Sequence, residues 1–192
     1  MHPDTYSSEL AKFIYELDYN SLEEEVIKKA KLCLLDFIGV SLIGSNTDLA
    51  RITIKTMKSM GGIKESTIIG NDSKLPSMNA AFVNGVMAHV HELDDGHRFA
   101  MGHPGIPVIS AALAAGEKNE SSGKDLIAAI VAGYEVFVRI GSSSRYIKTC
   151  KSTCSSTMIL NWSNFYAVKR EEIIHKFLEE FYFCIYTISA VI

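Results

Sequence analysis

The sequence predicts an all-α fold, a helical bundle with an atypical C-terminal tail. Apolar residues recur about every 3.6 positions in six segments of the 192-residue chain. Residues that commonly begin or end helices bound most of these segments. Only one short segment, 66–69, has the composition of a strand. Without repeats or a second strand-like segment, the sequence favours helices that bury one another's apolar faces.

The first three predicted helices are bounded by a polar cap and by glycines. They span residues 6–17, 21–44 and 48–60. Ser21 followed by Glu24 has the spacing of a capping box, which predicts that Ser21 begins the second helix. Gly44 is expected to end that helix, and Gly61 follows the third.

The last three predicted helices enclose the most polar part of the sequence. They span residues 78–91, 104–116 and 124–140. Ser77 is expected to cap the first of them. Pro104 and Pro107 suit the start of the second, because proline lacks the N–H group that a helix start leaves unbonded.

Composition and charge exclude several functional classes. Apolar residues make up 47% of the chain and charged residues 21%, as in an ordinary soluble domain. The formal net charge of −3 does not suggest a nucleic-acid partner. The longest apolar run near the end, 181–192, is too short to cross a bilayer, so no membrane partner is expected. Because no secretory segment follows the start and the four cysteines form no C-x-x-C pair, we expect a reducing cytoplasmic location.

The composition changes abruptly near residue 141. All 13 glycines lie at or before Gly141, and all four prolines at or before Pro107. We therefore divide the chain into a helical domain, 1–141, and a divergent tail, 142–192. Two interpretations of the tail stay open: a separate packing element, or a segment foreign to the ancestral fold, as after a frameshift or truncation.

The segment from His91 to His103 has the densest set of titratable side chains in the sequence. Four of the six histidines lie between residues 89 and 103, together with the carboxylates of Glu92, Asp94 and Asp95. Glycines and prolines interrupt the segment, so much of it is expected to form a loop. Such a concentration of titratable groups between apolar segments indicates a functional site.

Helical spacing separates the polar residues of the predicted helix 78–91 into two faces. Asn84 and His91 share the face that leads into the polar loop, and we take them as candidate substrate-binding residues. The alternative for Asn84 is an amide that packs between helices. His89 shares the more apolar face with Phe82 and Val86, so we interpret it as a structural histidine hydrogen-bonded in the core.

The segment His103-Pro104-Gly105 precedes a helix whose first N–H groups are expected to attract an anion. His103 beside it can move a proton near neutral pH, and Arg98 can clamp a carboxylate with two hydrogen bonds. Their alternatives are a loop hydrogen bond for His103 and a surface ion pair with Glu92 or Asp95 for Arg98. The paired aspartates are either loop anchors that accept backbone N–H bonds or catalytic groups.

These arguments give two sets of candidate residues. The catalytic candidates are His103, Asp94 and Asp95. The substrate-binding candidates are Asn84, His91, Glu92, His97 and Arg98.

The spacing of these residues does not indicate a metal site, and no cofactor is expected. Histidine and carboxylate are good metal ligands, but His89 and His91 point about 200° apart on a helix, and no H-E-x-x-H motif is present. The D-D-x-x-D pattern that would hold magnesium fails because Arg98 occupies its fifth position.

Three ordered motifs resemble the MmgE/PrpD family. They are A-x-x-N-G-x-x-x-H ending at His89, [FL]-D-D ending at Asp95, and H-P-x-x-P-V beginning at His103. The resemblance extends from about Tyr6 to Gly141. It implies an all-helical domain that carries part of a site for di- and tricarboxylates, in lyases or isomerases without metal or redox cofactor. It also implies a homodimer formed through the helical domain, and an α+β domain that normally follows.

The resemblance makes His103 the histidine that acts on substrate. It implies dehydration of a 2-methylcitrate-like acid, begun by removal of a proton α to a carboxylate. We expect little or no activity from this short form, because the family's second histidine has no counterpart after Gly141. Two rival functions stay open, a non-catalytic helical dimerisation module and a His/Asp metal-dependent hydrolase.

Overall fold

In a computed structural model, the described residues, 6–143, form six α-helices and one small hairpin. The helices are α1 (Tyr6–Glu16), α2 (Glu24–Gly44), α3 (Asp48–Ser59), α4 (Ser77–His89), α5 (Gly105–Lys118) and α6 (Gly123–Ser143). The strands β1 (Ser66–Thr67) and β2 (Lys74–Leu75) pair antiparallel, with Ser66 opposite Leu75. The predicted all-α fold is confirmed, and each predicted helix has an observed counterpart.

Helix α4 occupies the centre of the bundle. It packs against α2, α3, α5 and both strands, so it is covered on several sides. Ala80, Ala81 and Val83 are fully buried as a result. A helix this rich in small and apolar residues is stable only when its neighbours remove most of its surface from water.

The helices α2 and α4 approach closely at Gly44. A Cβ atom on this residue would lie 1.9 Å from the carbonyl oxygen of Met87 and 2.9 Å from a methyl group of Val90. No side chain fits in that space, so glycine is required for the two helices to cross here.

The buried apolar residues form two main clusters on either side of α4. One lies between α2, α4, α5 and α6 and includes Phe37, Ile109 and Ile130. The other lies between α3, the hairpin and α4 and includes Ile68 and Met87.

Asn84 fastens the hairpin segment to α4. Its side-chain oxygen accepts a hydrogen bond of 3.0 Å from the Ile69 N–H, and its amide nitrogen donates one of 3.0 Å to the Thr67 carbonyl. The side chain is buried, and these bonds use both ends of its amide. Asn84 therefore bonds α4 to the hairpin segment and not to another helix, and substrate binding by this residue stays a prediction.

Two predicted helix caps are wrong. Ser21 ends a short 3-10 turn, Tyr19–Ser21, where its hydroxyl donates to the Asp18 carbonyl at 2.6 Å, and α2 begins only at Glu24. Ser77 lies inside α4, and its N–H donates to the Glu65 carboxylate at 3.1 Å. At the start of α4 the Glu65 carboxylate accepts the N–H that a cap would have bonded, whereas α2 begins without a side-chain cap.

Between residues 6 and 143, no helix is both long enough and apolar enough to cross a membrane. Helix α6 continues to Ser143, two residues beyond the composition boundary at Gly141. Residues 144–192, which make up nearly all of the predicted divergent tail, lie outside the described residues.

Candidate active site

The chain between α4 and α5, residues 90–104, forms a compact loop, here called the site loop. It begins with a reversal in which the Glu92 N–H donates to the His89 carbonyl at 2.9 Å, and Glu92 has a left-handed φ of 52°. A second contact closes the loop further on, where the His97 N–H donates to the Gly102 carbonyl at 2.9 Å. These two contacts fold the loop back towards the end of α4.

Three side chains meet where the site loop folds back, and together they form the His–Asp–His cluster. His89 is the last residue of α4, Asp94 lies in the loop, and His103 precedes α5 by two residues. The Nδ1 atom of His89 lies 3.0 Å from Oδ1 of Asp94, and Nδ1 of His103 lies 2.8 Å from Oδ2. One carboxylate thus contacts two imidazoles, whose ring centres are 5.3 Å apart.

The Asp94 carboxylate is the buried centre of the cluster. Its side chain is 3% exposed, whereas those of His89 and His103 are 48% and 41% exposed. Because a carboxylate only accepts hydrogen bonds, Nδ1 of His89 is the donor in their contact. In a neutral ring this leaves Nε2 of His89 with a free lone pair.

The contact between His103 and Asp94 differs from that of His89. The two atoms are within ion-pair distance but are not aligned for a hydrogen bond. Among the described residues, Asp94 Oδ2 and His103 Nδ1 are the buried side-chain atoms without a hydrogen-bond partner. The two atoms face each other, so a small rotation of the imidazole or a bound ion would give both a bonded partner.

Asp95 anchors the site loop. Its Oδ1 accepts a hydrogen bond of 2.9 Å from the Gly105 N–H, and its Oδ2 accepts one of 2.7 Å from the Tyr134 hydroxyl. A Cβ atom at Gly105 would lie 2.6 Å from this carboxylate, so the close contact requires glycine. Asp95 therefore has the geometry of a loop anchor, the alternative to a catalytic role.

This anchor changes the expectation for the start of α5. The first N–H of the helix, at Gly105, is bonded to Asp95, and Pro107 has no N–H to offer. The negative charge that a helix start attracts is thus supplied by the protein's own carboxylate. The expectation that this helix start attracts a substrate anion is therefore not met at its first N–H.

Tyr134, on α6, was not among the predicted site residues. Burial and the neighbouring Asp95 carboxylate raise the pKa of its hydroxyl, so the hydroxyl stays a neutral hydrogen-bond donor. Because Tyr134 lies on α6, its hydrogen bond to Asp95 links α6 to the site loop. Asp95 in turn bonds the first residue of α5. A tyrosine in a mostly apolar helical stretch gives no sequence signal that its partner lies 39 residues earlier.

The interpretation of His89 as a buried core histidine is wrong. Its side chain is about half exposed and contacts Asp94 instead of the core. Helical spacing placed it correctly beside Val86, but α4 ends at His89, so the loop can fold onto it. The available signal was a histidine at a helix end followed, five residues later, by a carboxylate.

The other predicted binding residues lie outside the His–Asp–His cluster. The Nδ1 atom of His97 accepts the Ala100 N–H at 3.1 Å, which gives His97 a role inside the loop. His91, Glu92 and Arg98 are exposed. Within residues 6–143, Arg98 forms no ion pair with Glu92 or Asp95, so its alternative as a surface ion pair is not observed.

The described residues form a helical domain in which two solvent-open imidazoles contact one buried carboxylate. Imidazoles in such contacts are chemically able to accept or deliver a proton. The profile described as the MmgE/PrpD N-terminal domain matches residues 8–160. The chain belongs to the MmgE/PrpD family, as the sequence motifs predicted. The match runs past Gly141, and the division at that residue stays a prediction.

Several decarboxylases are similar to this chain. It is 35% identical to human (Homo sapiens) cis-aconitate decarboxylase over 135 residues, which cover 68% of this chain and 28% of that protein. It is 34% identical to the Mus musculus cis-aconitate decarboxylase over 143 residues, 72% of this chain and 29% of that protein. A cis-aconitate decarboxylase-like protein from Aspergillus oryzae is 30% identical over 144 residues, 71% of this chain and 30% of that protein. The chain thus matches about three tenths of the length of these relatives.

Proposed function

We propose that this chain supplies the proton-transfer group of a lyase that acts on a di- or tricarboxylate without a cofactor. His103 is that group, and Asp94 orients it. The observation that carries the proposal is the 2.8 Å contact between a solvent-open imidazole and a nearly fully buried carboxylate. Such a pair is the common means of keeping a histidine in place while it exchanges a proton.

The first candidate reaction is dehydration of a 2-methylcitrate-like acid. His103 accepts the proton α to a carboxylate, the electron pair of that C–H bond forms the alkene, and the β-hydroxyl leaves as water with a proton that solvent supplies. Relatives named as cis-aconitate decarboxylases favour a second candidate, in which a C–CO₂ bond breaks and the resulting carbanion takes a proton from the imidazolium. In the first reaction the neutral His103 ring accepts a proton, and in the second the His103 imidazolium donates one, so both reactions use one ring nitrogen of the same residue.

Arg98 is the cation that binds a substrate carboxylate in this proposal. It is exposed on the same loop, and it makes no ion pair with Glu92 or Asp95. A guanidinium can grip a carboxylate with two parallel hydrogen bonds, which orients the substrate as well as attracting it. The Gly105 N–H at the start of α5 is already bonded to Asp95. The Arg98 side chain is therefore the main group proposed to bind the substrate carboxylate.

The test is binding of 2-methylcitrate and of cis-aconitate to the metal-free whole chain, measured by calorimetry with a chelator present. Binding is a better test than turnover, because the chain matches about three tenths of the length of its relatives. We expect His103→Ala to weaken the affinity at least tenfold, since it removes the group that faces the reacting carbon. His175→Ala, in a histidine outside the segment 89–103, is the matched control and should leave the affinity unchanged. Equal affinity of the wild type and His103→Ala would contradict the proposal.

A second candidate function is a non-catalytic helical dimerisation module. An apolar stripe on α2, formed by Leu32, Leu35 and Leu42, is exposed, and Gly39 between them has open space around its Cβ position. Spacings of three, four and three residues put all four on one helix face. A second copy of the chain is the partner that we propose for this stripe. Stable dimers that bind neither carboxylate would favour the module over the lyase.

A further inference from the structure

The proposed proton transfer leaves His89 without a role, although it contacts the same carboxylate as His103. We propose that His89, Asp94 and His103 form a binding site for a divalent transition-metal ion such as zinc. One ligand atom from each of the three side chains can be chosen so that all lie within 4.8 Å of one another. His89 and His91 point in different directions on a helix, so their spacing did not predict a metal site. The fold instead brings His89 beside His103.

The ligand set selects the class of ion. Two imidazole nitrogens and one carboxylate oxygen suit zinc, cobalt, nickel or copper better than magnesium or calcium, which prefer oxygen ligands alone. Zinc sites that are not purely structural commonly have three protein ligands and a fourth position open to water. Ligand atoms about 2.1 Å from a tetrahedral ion lie ~3.4 Å from one another. Side-chain movements of about 1 Å would bring the three ligand atoms to this spacing.

The hydrogen bonding within the cluster favours the same site. Asp94 is 3% exposed, and its Oδ2 and the Nδ1 of His103 have no hydrogen-bond partner. A cation would bond both atoms once they move from 2.8 Å to about 3.4 Å apart, and it would replace their unaligned contact. The same ion is within reach of His89, whose Nδ1 lies 3.0 Å from the other oxygen of the carboxylate.

The cluster is also open to an entering ion. The side chains of His89 and His103 are about half exposed, so an ion can reach the ring nitrogens and keep a water ligand. Exposed imidazoles around a buried carboxylate combine access with a fixed negative charge, and the site needs no separate entry channel.

Metal binding would block the proposed lyase, and this consequence alone rests on the proposed function. When a metal ion takes Nδ1 of neutral His103, the ring proton lies on Nε2, and no lone pair is left to accept a proton. The ion therefore acts as an inhibitor of proton transfer. The binding itself requires only the three side chains.

The experiment is a titration of the whole chain with Co²⁺, followed by visible absorption, and then displacement of the cobalt by Zn²⁺. We expect one ion per chain and the spectrum of nitrogen and oxygen ligands. His89→Ala should weaken the affinity at least tenfold, because one of three ligands is lost. The matched control is His91→Ala, an exposed histidine two residues away, and its affinity should equal that of the wild type.

Two outcomes would overturn the proposal. One is unchanged cobalt affinity in both His89→Ala and the nearly isosteric Asp94→Asn, with helix content by circular dichroism as in the wild type. The other is a sulfur-to-cobalt charge-transfer band, which would assign the ion to the cysteines. Carboxylate binding is measured with chelator present, so failure of the metal site and failure of the lyase proposal are distinguished.

Discussion

Asp94 and Asp95 show how adjacent identical residues can have different surroundings. Asp94 contacts two imidazoles, whereas Asp95 accepts hydrogen bonds from a backbone N–H and a phenol. One side chain faces His89 and His103, and the next faces the start of α5 and Tyr134 on α6. The sequence predicted that both aspartates matter, but it could not distinguish these two surroundings.

Removal of the Tyr134 hydroxyl tests the anchoring role of Asp95. Tyr134→Phe leaves the ring in place and deletes the 2.7 Å hydrogen bond to the carboxylate. We expect the free energy of unfolding to fall by about 1–3 kcal/mol, because a partly buried charge loses one of its donors. Urea unfolding measures this, and Tyr6→Phe is the control because Tyr6 is 92% exposed. Equal losses in the two variants would exclude a special role for the Tyr134 hydroxyl.

At the scale of elements, the small hairpin is held to the bundle by polar contacts. The Ser66 hydroxyl donates to the Ala114 carbonyl at 2.6 Å, and the Glu117 carboxylate accepts hydrogen bonds from the N–H and hydroxyl of Thr67. Glu65, just before β1, binds the Ser77 N–H at the start of α4 and lies 3.3 Å from Lys118 at the end of α5. Two-residue strands have little stability of their own, so these contacts hold the hairpin against α4 and α5.

These contacts predict how stability depends on pH. The Ser77 N–H and Lys118 hold the pKa of Glu65 below its ordinary value of 4.5. Glu65 therefore adds stability that is fully present above about pH 4.5 and is lost as pH falls through the lower pKa of the folded state. We expect Glu65→Gln to weaken the acid-side dependence of the urea midpoint between pH 3 and 6. Glu120→Gln, at an exposed position, should retain the wild-type curve, and an unchanged curve in Glu65→Gln would refute the assignment.

The sequence predicts the elements far better than their connections. Apolar residues at helical spacing located all six described helices, because burial of one face leaves a periodic pattern. The reversal at Glu92 left no such pattern, since its left-handed φ occurs at a residue type with no preference for that conformation. This reversal is what brings His89 to Asp94, so the same gap explains the wrong interpretation of His89.

At the scale of the whole molecule, the exposed leucines of α2 form an aligned apolar stripe on one helix. Leu35 is 65% exposed, and Leu32 and Leu42 lie near it on the same helix face. Single exposed apolar residues are common, but an aligned set on one helix is typical of an interface. Resemblance to the family predicted a homodimer through the helical domain, and this stripe is the surface that we propose for it.

We expect Leu35→Glu to convert a dimer of the whole chain to monomer. The charge would be buried opposite its own copy in a two-fold contact, and like charges across an interface are strongly unfavourable. Sedimentation velocity over a range of concentrations measures the change. Lys55→Glu, at an exposed position on α3, alters charge by more while leaving the α2 stripe intact, and its dimer should persist. A wild-type chain that sediments as a monomer at all concentrations would remove the basis of the dimer.

The close contact at Gly44 connects α2 to the end of α4 that carries His89. The Met87 carbonyl that touches Gly44 belongs to the last turn of α4, two residues before His89. Any larger residue at position 44 would wedge α2 away from that turn and carry the imidazole with it. Inherited variation at a buried glycine on another helix could therefore weaken the proposed metal site while its three ligands stay unaltered.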